Sequence, residues 1–159
     1  LDATPEAIAR ANVGELVAAD VFARFYQRAR GGVAEFKTTG KRPDNRYGEF
    51  PVAVLSPDDA KVLGAQSNVV LISHETLVTH IAKHPDITLT DYRKIQRLLD
   101  SKHSEVWRTA SGERLIYITK DGVRYCAVLK RTGDGRKNYF LTLHRERRTE
   151  PPKGAVRIR

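Results

Sequence analysis

One cysteine, Cys126, is all the thiol this chain possesses. An intramolecular disulfide is therefore excluded, as is a zinc site built from several thiolates. No run of about 18 apolar residues occurs, which excludes a membrane-spanning helix. A charged-then-apolar leader is also missing from the start. Three motifs are absent as well: a phosphate loop ending in GKS or GKT, a G-x-S-x-G elbow and an H-E-x-x-H pair. The chain opens on Leu1 and reads as a piece excised from something longer.

What is present is a 159-residue chain, 40% hydrophobic, with enough apolar residues for one core but not two. Its 28 basic against 19 acidic side chains leave a net charge of +9. That excess is confined: residues 1–60 hold 8 basic and 9 acidic side chains, and residues 61–159 hold 20 and 10. A confined excess points to a surface that meets phosphate, in a soluble protein of a reducing compartment. The plainer alternative is a solvated face plus a basic tail.

Residues 4–30 read as one helix, with Thr4 as cap, Pro5 in the first turn and Gly31-Gly32 as the stop. Ile8, Leu16, Val17, Val21, Phe22 and Phe25 form its apolar stripe, and Gly14 is a weak point. Residues 37–50 are polar and aperiodic, which suggests a linker. The expected organisation is thus an N-terminal helix and linker over 1–49, a catalytic domain over 50–147 and a loose basic tail over 148–159.

After Phe50, Pro51–Leu55 and residues 68–73 read as strands. A helix capped by Ser56 lies between them and ends near Gly64. A helix follows from Glu75 to about Lys83, and another, capped by Thr90, runs from Asp91 to about Asp100. Strands are expected over residues 105–109, 114–119, 124–130 and 138–145, with an Asp121-Gly122 hairpin joining the middle pair. That turn sets Tyr117 opposite Cys126 and Leu115 opposite Val128. Phe140, Thr142 and His144 then share the open face, while Tyr139, Leu141, Leu143 and Arg145 face the core. The fold class is α+β: short helices packed on an antiparallel β-meander of about four strands.

Gly133-Asp134-Gly135 joins two strands and opens no helix, so it reads as a turn rather than a phosphate cradle. Cys126, inside an apolar strand, reads as a buried thiol. His80 and His84, four apart, share a helical face; they could contribute to zinc, but companion ligands at useful spacing are lacking. The plain readings are a partly exposed polar residue for His80 and a helix-terminal cation for His84. On the open side, Arg124, Lys130, Thr142 and His144 gather, with a helix bearing His80 nearby. Metal-free RNA cleavage suits that set. It needs a group to take the 2′-OH proton, another to protonate the leaving oxygen, and cations for the charge on phosphorus. No cofactor is expected.

The runs FPVAVLSPDDAKVL, VVLISHETLVTHIAKHPDITLTDYRKIQ and RYCAVLKRTGDGRKNYFLTLHR carry a resemblance. They are similar to the C-terminal domain of phage Mu-F-like head-morphogenesis proteins, grouped with the barnase/EndoU/colicin/RelE-like nucleases. It covers roughly residues 50–145, and HPDIxLxDYR and VLKxTxDG…YFLTxHR are its most specific elements. The SKHSEVW stretch departs from the family pattern. What the resemblance implies is a ribonuclease toxin with His80, Lys130, Thr142 and His144 as its catalytic positions and Arg145 as a further member; His84, Arg124, Arg131 and Arg145 are the expected substrate contacts. It also implies an upstream phage or toxin delivery module, a cognate immunity protein, and action in the cytoplasm of a target bacterium. Two rival functions stand beside it: a phage-head module that binds nucleic acid or protein without cutting, and an NAD-consuming toxin.

Overall fold

A computed structural model describes residues 4–119, 124–145 and 151–159. The N-terminal helical signal resolves into three helices: α1 (Pro5–Ala18), α2 (Asp20–Gly31) and α3 (Val33–Thr39). Thr4 caps α1 by accepting the Ala7 N–H at 3.1 Å. The break falls at Ala19, whose backbone is extended, and not at Gly14, which lies within α1. Ile8, Leu16 and Val21 are exposed, whereas Val13, Val17, Phe22, Phe25, Tyr26 and Ala29 are buried. The break rotates α2 relative to α1, so one continuous stripe cannot describe both.

Beyond the 40–48 loop come β1 (Glu49–Val54), α4 (Pro57–Leu63), β2 (Val69–Ser73) and α5 (His74–Lys83). Ser56 and Ser73 cap α4 and α5, accepting the Asp59 and Thr76 N–H groups. Next are α6 (Leu89–Tyr92) and α7 (Ile95–Asp100). Thr88 caps α6, in place of the expected Thr90, because Asp91 reaches back to the Thr88 N–H and completes a capping box.

β3 (Ser104–Arg108), β4 (Arg114–Thr119), β5 (Tyr125–Arg131) and β6 (Asn138–Arg145) follow, and β7 (Val156–Arg157) closes the chain. The fold is α+β, but the sheet is larger than four strands and is mixed. Among the described residues its seven strands run β1-β2-β6-β5-β4-β3-β7. β2 and β6 are parallel; the other neighbours are antiparallel. The 40–48 segment is not a bare linker, since Asn45 Oδ1 accepts the Glu75 N–H and Gly48 O accepts the His74 N–H. Helices α1 and α2 contribute to the same core as Phe50, Val52 and Leu77, so packing is continuous across Phe50.

Two register findings correct the expected faces. The Asp121-Gly122 turn lies outside the described residues, but the strands beside it pair Tyr117 with Ala127 and Ile118 with Cys126. Each partner is one residue farther along than a two-residue turn would set it. Leu115 and Tyr117 therefore enter the main core with Ala127 and Leu129, and Ile116 and Ile118 join Cys126 on the second face. In β6, a bulge at Leu141 pairs Thr142 with Val128 but Phe140 with Leu129. Phe140 and Leu143 are both buried in the core as a result, and Tyr139 is not.

The second face is not simply open: Ile116, Ile118 and Cys126 are buried there against Trp107 and Val128. The C-terminal segment is not loose over residues 151–159. β7 pairs with β3, and the Ile158 N–H donates to Val106 O at 2.7 Å. Arg159 grips buried Asp59 with both Nη atoms, and the Tyr117 hydroxyl donates to Asp59 at 2.7 Å. No helix among the described residues is long and apolar enough to cross a membrane.

Candidate active site

β2 runs straight into α5, so its pairing with β6 stops after Val70↔Asn138 and Leu71↔Tyr139. Beyond Tyr139 that edge of β6 is met by α5 instead. His80, on the buried side of α5, accepts the Leu143 N–H through Nε2 at 2.9 Å. Its Nδ1 bonds the Tyr92 hydroxyl. A nitrogen that accepts carries a lone pair, so the proton of the neutral ring sits on Nδ1 and is donated to Tyr92.

Burial, and then the neighbouring His84, push the His80 pKa down to about 4. Near neutral pH this ring is uncharged with both nitrogens engaged. The expected proton-transfer role for His80 does not fit that environment. The residue joins α5, α6 and the edge of β6.

The other two histidines meet beside it. His84 is the C-cap residue of α5, with its ring 4.9 Å from that of His80. The His84 ring also stacks on that of His144, at 5.6 Å with only 16° between the planes. His144 lies opposite Cys126 in β6 and Thr142 opposite Val128, so the two share the second face, both half-buried. The bulge at Leu141 preserves this arrangement while turning Phe140 inward.

Lys130, opposite Tyr139, is on the same face as Thr142 and His144. Its row is four residues from that of Cys126, or about 13 Å at strand rise. Lys130 is thus set apart from His144 along the sheet, nearer to where a neighbouring phosphate would lie. Arg124 is exposed just before β5, at the His144 end of the sheet. Arg131 is elsewhere: its Nε donates to Leu63 O at 2.7 Å and its Nη1 to Thr132 O at 3.1 Å. Those bonds tie α4 to the β5–β6 turn and take Arg131 out of the substrate contacts.

Arg145, one residue past His144, faces the helical side. Its Nη2 lies 3.2 Å from Asp91 Oδ1, and its guanidinium sits 5.6 Å over the Tyr125 ring. The Tyr125 hydroxyl donates to Asp91 Oδ1 at 2.9 Å. Burial opposes ionisation of Asp91, yet the Thr88, Tyr125 and Arg145 donors outweigh it and hold the carboxyl below its usual range. Asp91, Lys94, Arg97, Tyr125 and Leu143 line a cleft of about 300 Å³ here.

Asp91 and Tyr125, which line this cleft, were not among the expected site residues: Asp91 read only as the start of a helix, although it lies within the HPDIxLxDYR motif. The capping box was the other available sign that Asp91 has a polar task. Among the described residues, no group of three or more histidine, cysteine or carboxylate side chains is gathered to hold a metal ion. Comparison with known protein families, curated proteins and solved structures finds no match to this chain.

Proposed function

We propose that this chain is an endoribonuclease in which His84 and His144 move the protons. One imidazole takes the proton of a ribose 2′-OH, and the 2′-oxygen attacks the adjacent phosphorus. The bond from phosphorus to the 5′-oxygen breaks, and the other imidazole protonates that oxygen. The products are a 2′,3′-cyclic phosphate and a free 5′-hydroxyl. No ion is needed for this proton balance.

The observation that carries the reading is the His84–His144 pair, stacked at 5.6 Å at a strand edge. Behind it, His80 is held neutral and fully bonded, which fixes the strand and helix bearing the pair. Thr142 stands two residues from His144 on the same face and can donate to a phosphate oxygen. Arg124, exposed at the His144 end of the sheet, supplies a cation for the charge on phosphorus. Lys130 serves the neighbouring phosphate rather than the scissile one. The resemblance to phage barnase/EndoU/colicin/RelE-like nucleases supports the same chemistry. On this reading the chain is the toxin end of a delivered phage or secreted protein, acts in the target cytoplasm and is restrained by a cognate immunity protein.

Incubation with total RNA in a chelating buffer tests the proposal. Fragments should accumulate with cyclic phosphate ends. His84→Ala and His144→Ala should each slow their appearance at least ~100-fold, as loss of a proton-transfer group does. RNA that is bound but never shortened would overturn the proposal and leave a binding module. Loss of NAD without RNA cleavage would point to the NAD-consuming alternative instead.

A further inference from the structure

Helix α5 has a second functional-looking end. Its C-terminus carries His84, and its N-terminus, ten residues earlier, borders a cleft between α2, α3 and the 40–48 loop. At helix rise the two ends are about 15 Å apart. Arg28, Lys41, Arg42, Arg46, Tyr47 and His74 all line this cleft. The sequence-level charge split assigned no positive excess to this region, yet folding gathers four cations in it.

Two of those cations are already committed. Arg42 pairs with Glu75 at 2.9 Å, and Arg46 pairs with Asp44 at 2.9 Å. Arg28 and Lys41 have no carboxylate within 4.0 Å among the described residues, although Glu35 also lines the cleft. Arg28 lies with its guanidinium carbon 5.2 Å over the Tyr47 ring. Tyr47 remains 45% exposed, so its ring is accessible to a ligand.

His74 lies beneath Tyr47, edge-on at 4.8 Å and only 4% exposed. Its Nδ1 has no hydrogen-bond partner among the described residues. A buried polar atom left so costs stability, and such costs persist where function requires them. The first N–H groups of α5 are taken by Gly48 O, Asn45 Oδ1 and Ser73 Oγ. Anion binding therefore falls to side chains and not to the helix terminus.

We infer that this cleft is a second binding subsite for single-stranded RNA, with Arg28 and Lys41 on phosphates and Tyr47 against a base. The inference rests on the ribonuclease reading for the identity of the strand. A duplex would keep its bases stacked internally and offer Tyr47 nothing to meet, whereas an unpaired strand exposes a π-face at every base. The strand would then run along α5, anchored at one end and cut at the other.

The test uses a 2′-O-methyl single-stranded oligonucleotide, which binds but lacks the attacking hydroxyl. The Arg28→Ala/Lys41→Ala pair should weaken binding at least ~10-fold and flatten the slope of log K against log salt by about 1.4. Tyr47→Ala should weaken it ~5-fold or more, with Tyr47→Phe near wild type. A duplex probe should be indifferent to Tyr47. Unchanged affinity and salt slope in the double variant would overturn the inference. Cleavage of a dinucleotide, too short to span α5, should survive in the double variant while long RNA is cut more slowly. Oligonucleotide binding that depends on Arg28 and Lys41, without any RNA cleavage by wild type, would instead sink the nuclease reading and keep the subsite.

Discussion

Replacing His80 with glutamine separates the buried histidine from every other titrating group. A glutamine amide can still accept the Leu143 N–H and donate toward Tyr92, but it takes up no proton between neutral and acid pH. In the wild type, the unfolded ring titrates near 6.5 and the folded ring near 4, because burial and the charges of His84 and His144 oppose protonation. Between those values the unfolded chain binds more protons than the native one. Stability therefore falls as pH falls through this window, and the loss is complete below about 4. A gap of this size corresponds to about 3 kcal/mol in total, of which roughly 2.5 kcal/mol is lost by about pH 4.5.

Burial also lowers the pKa of His74, which adds a slope of the same sign in the same window. The informative quantity is consequently the difference between wild type and His80→Gln. Urea unfolding at about pH 7 and about pH 4.5 measures it. The wild type should lose about 2.5 kcal/mol more than the variant between the two. Asp91, held below its usual range, contributes stability that is lost only at still lower pH. Equal losses in the two proteins, or an NMR titration of His80 near 6.5, would refute the assignment of a neutral, doubly bonded ring.

Asp59→Ala should destabilise the fold by about 3 kcal/mol, since it strands the buried Tyr117 hydroxyl and releases Arg159; chemical denaturation reads this directly. Gly135→Ala should cost about 2 kcal/mol or more in the same measurement. Gly135 sits at φ +75°, and a Cβ there would lie 2.9 Å from the Gly64 carbonyl oxygen. Arg124→Ala should reduce kcat/KM for RNA roughly 10-fold or more without loss of fold, as removal of a charge-stabilising donor does. Arg131→Ala should do the reverse: lower stability by about 1 kcal/mol through its lost backbone bonds, with cleavage retained.

Much of the scaffold was legible because its signals are local. Ser56-Pro57 announces its helix within three residues, and alternation with turn residues marks β6 over its full length. The failures share a cause as well. The Tyr117–Ala127 register depends on loop geometry, and the Leu141 bulge on how two strands accommodate twist; neither leaves a composition signature. Thr88 displaced Thr90 as a cap because the decisive partner, Asp91, serves either reading. The site shows the same division. His84, His144 and Arg145 stood out by residue type, but only long-range packing distinguishes a buried, bonded His80 from a reactive one. Arg131 was a reasonable phosphate ligand until the fold supplied it with carbonyl oxygens.

The contact between His80 and Leu143 also has a bearing on self-association. A strand that outlasts its neighbour leaves bare amide groups that another chain can copy, and β6 does so past Tyr139. A helix side chain occupies the Leu143 position in place of a further strand. Once acid protonates Nε2, that guard can no longer accept the amide, and the strand end becomes a template. Clumping on acidification should start there, well before the rest of the sheet gives way.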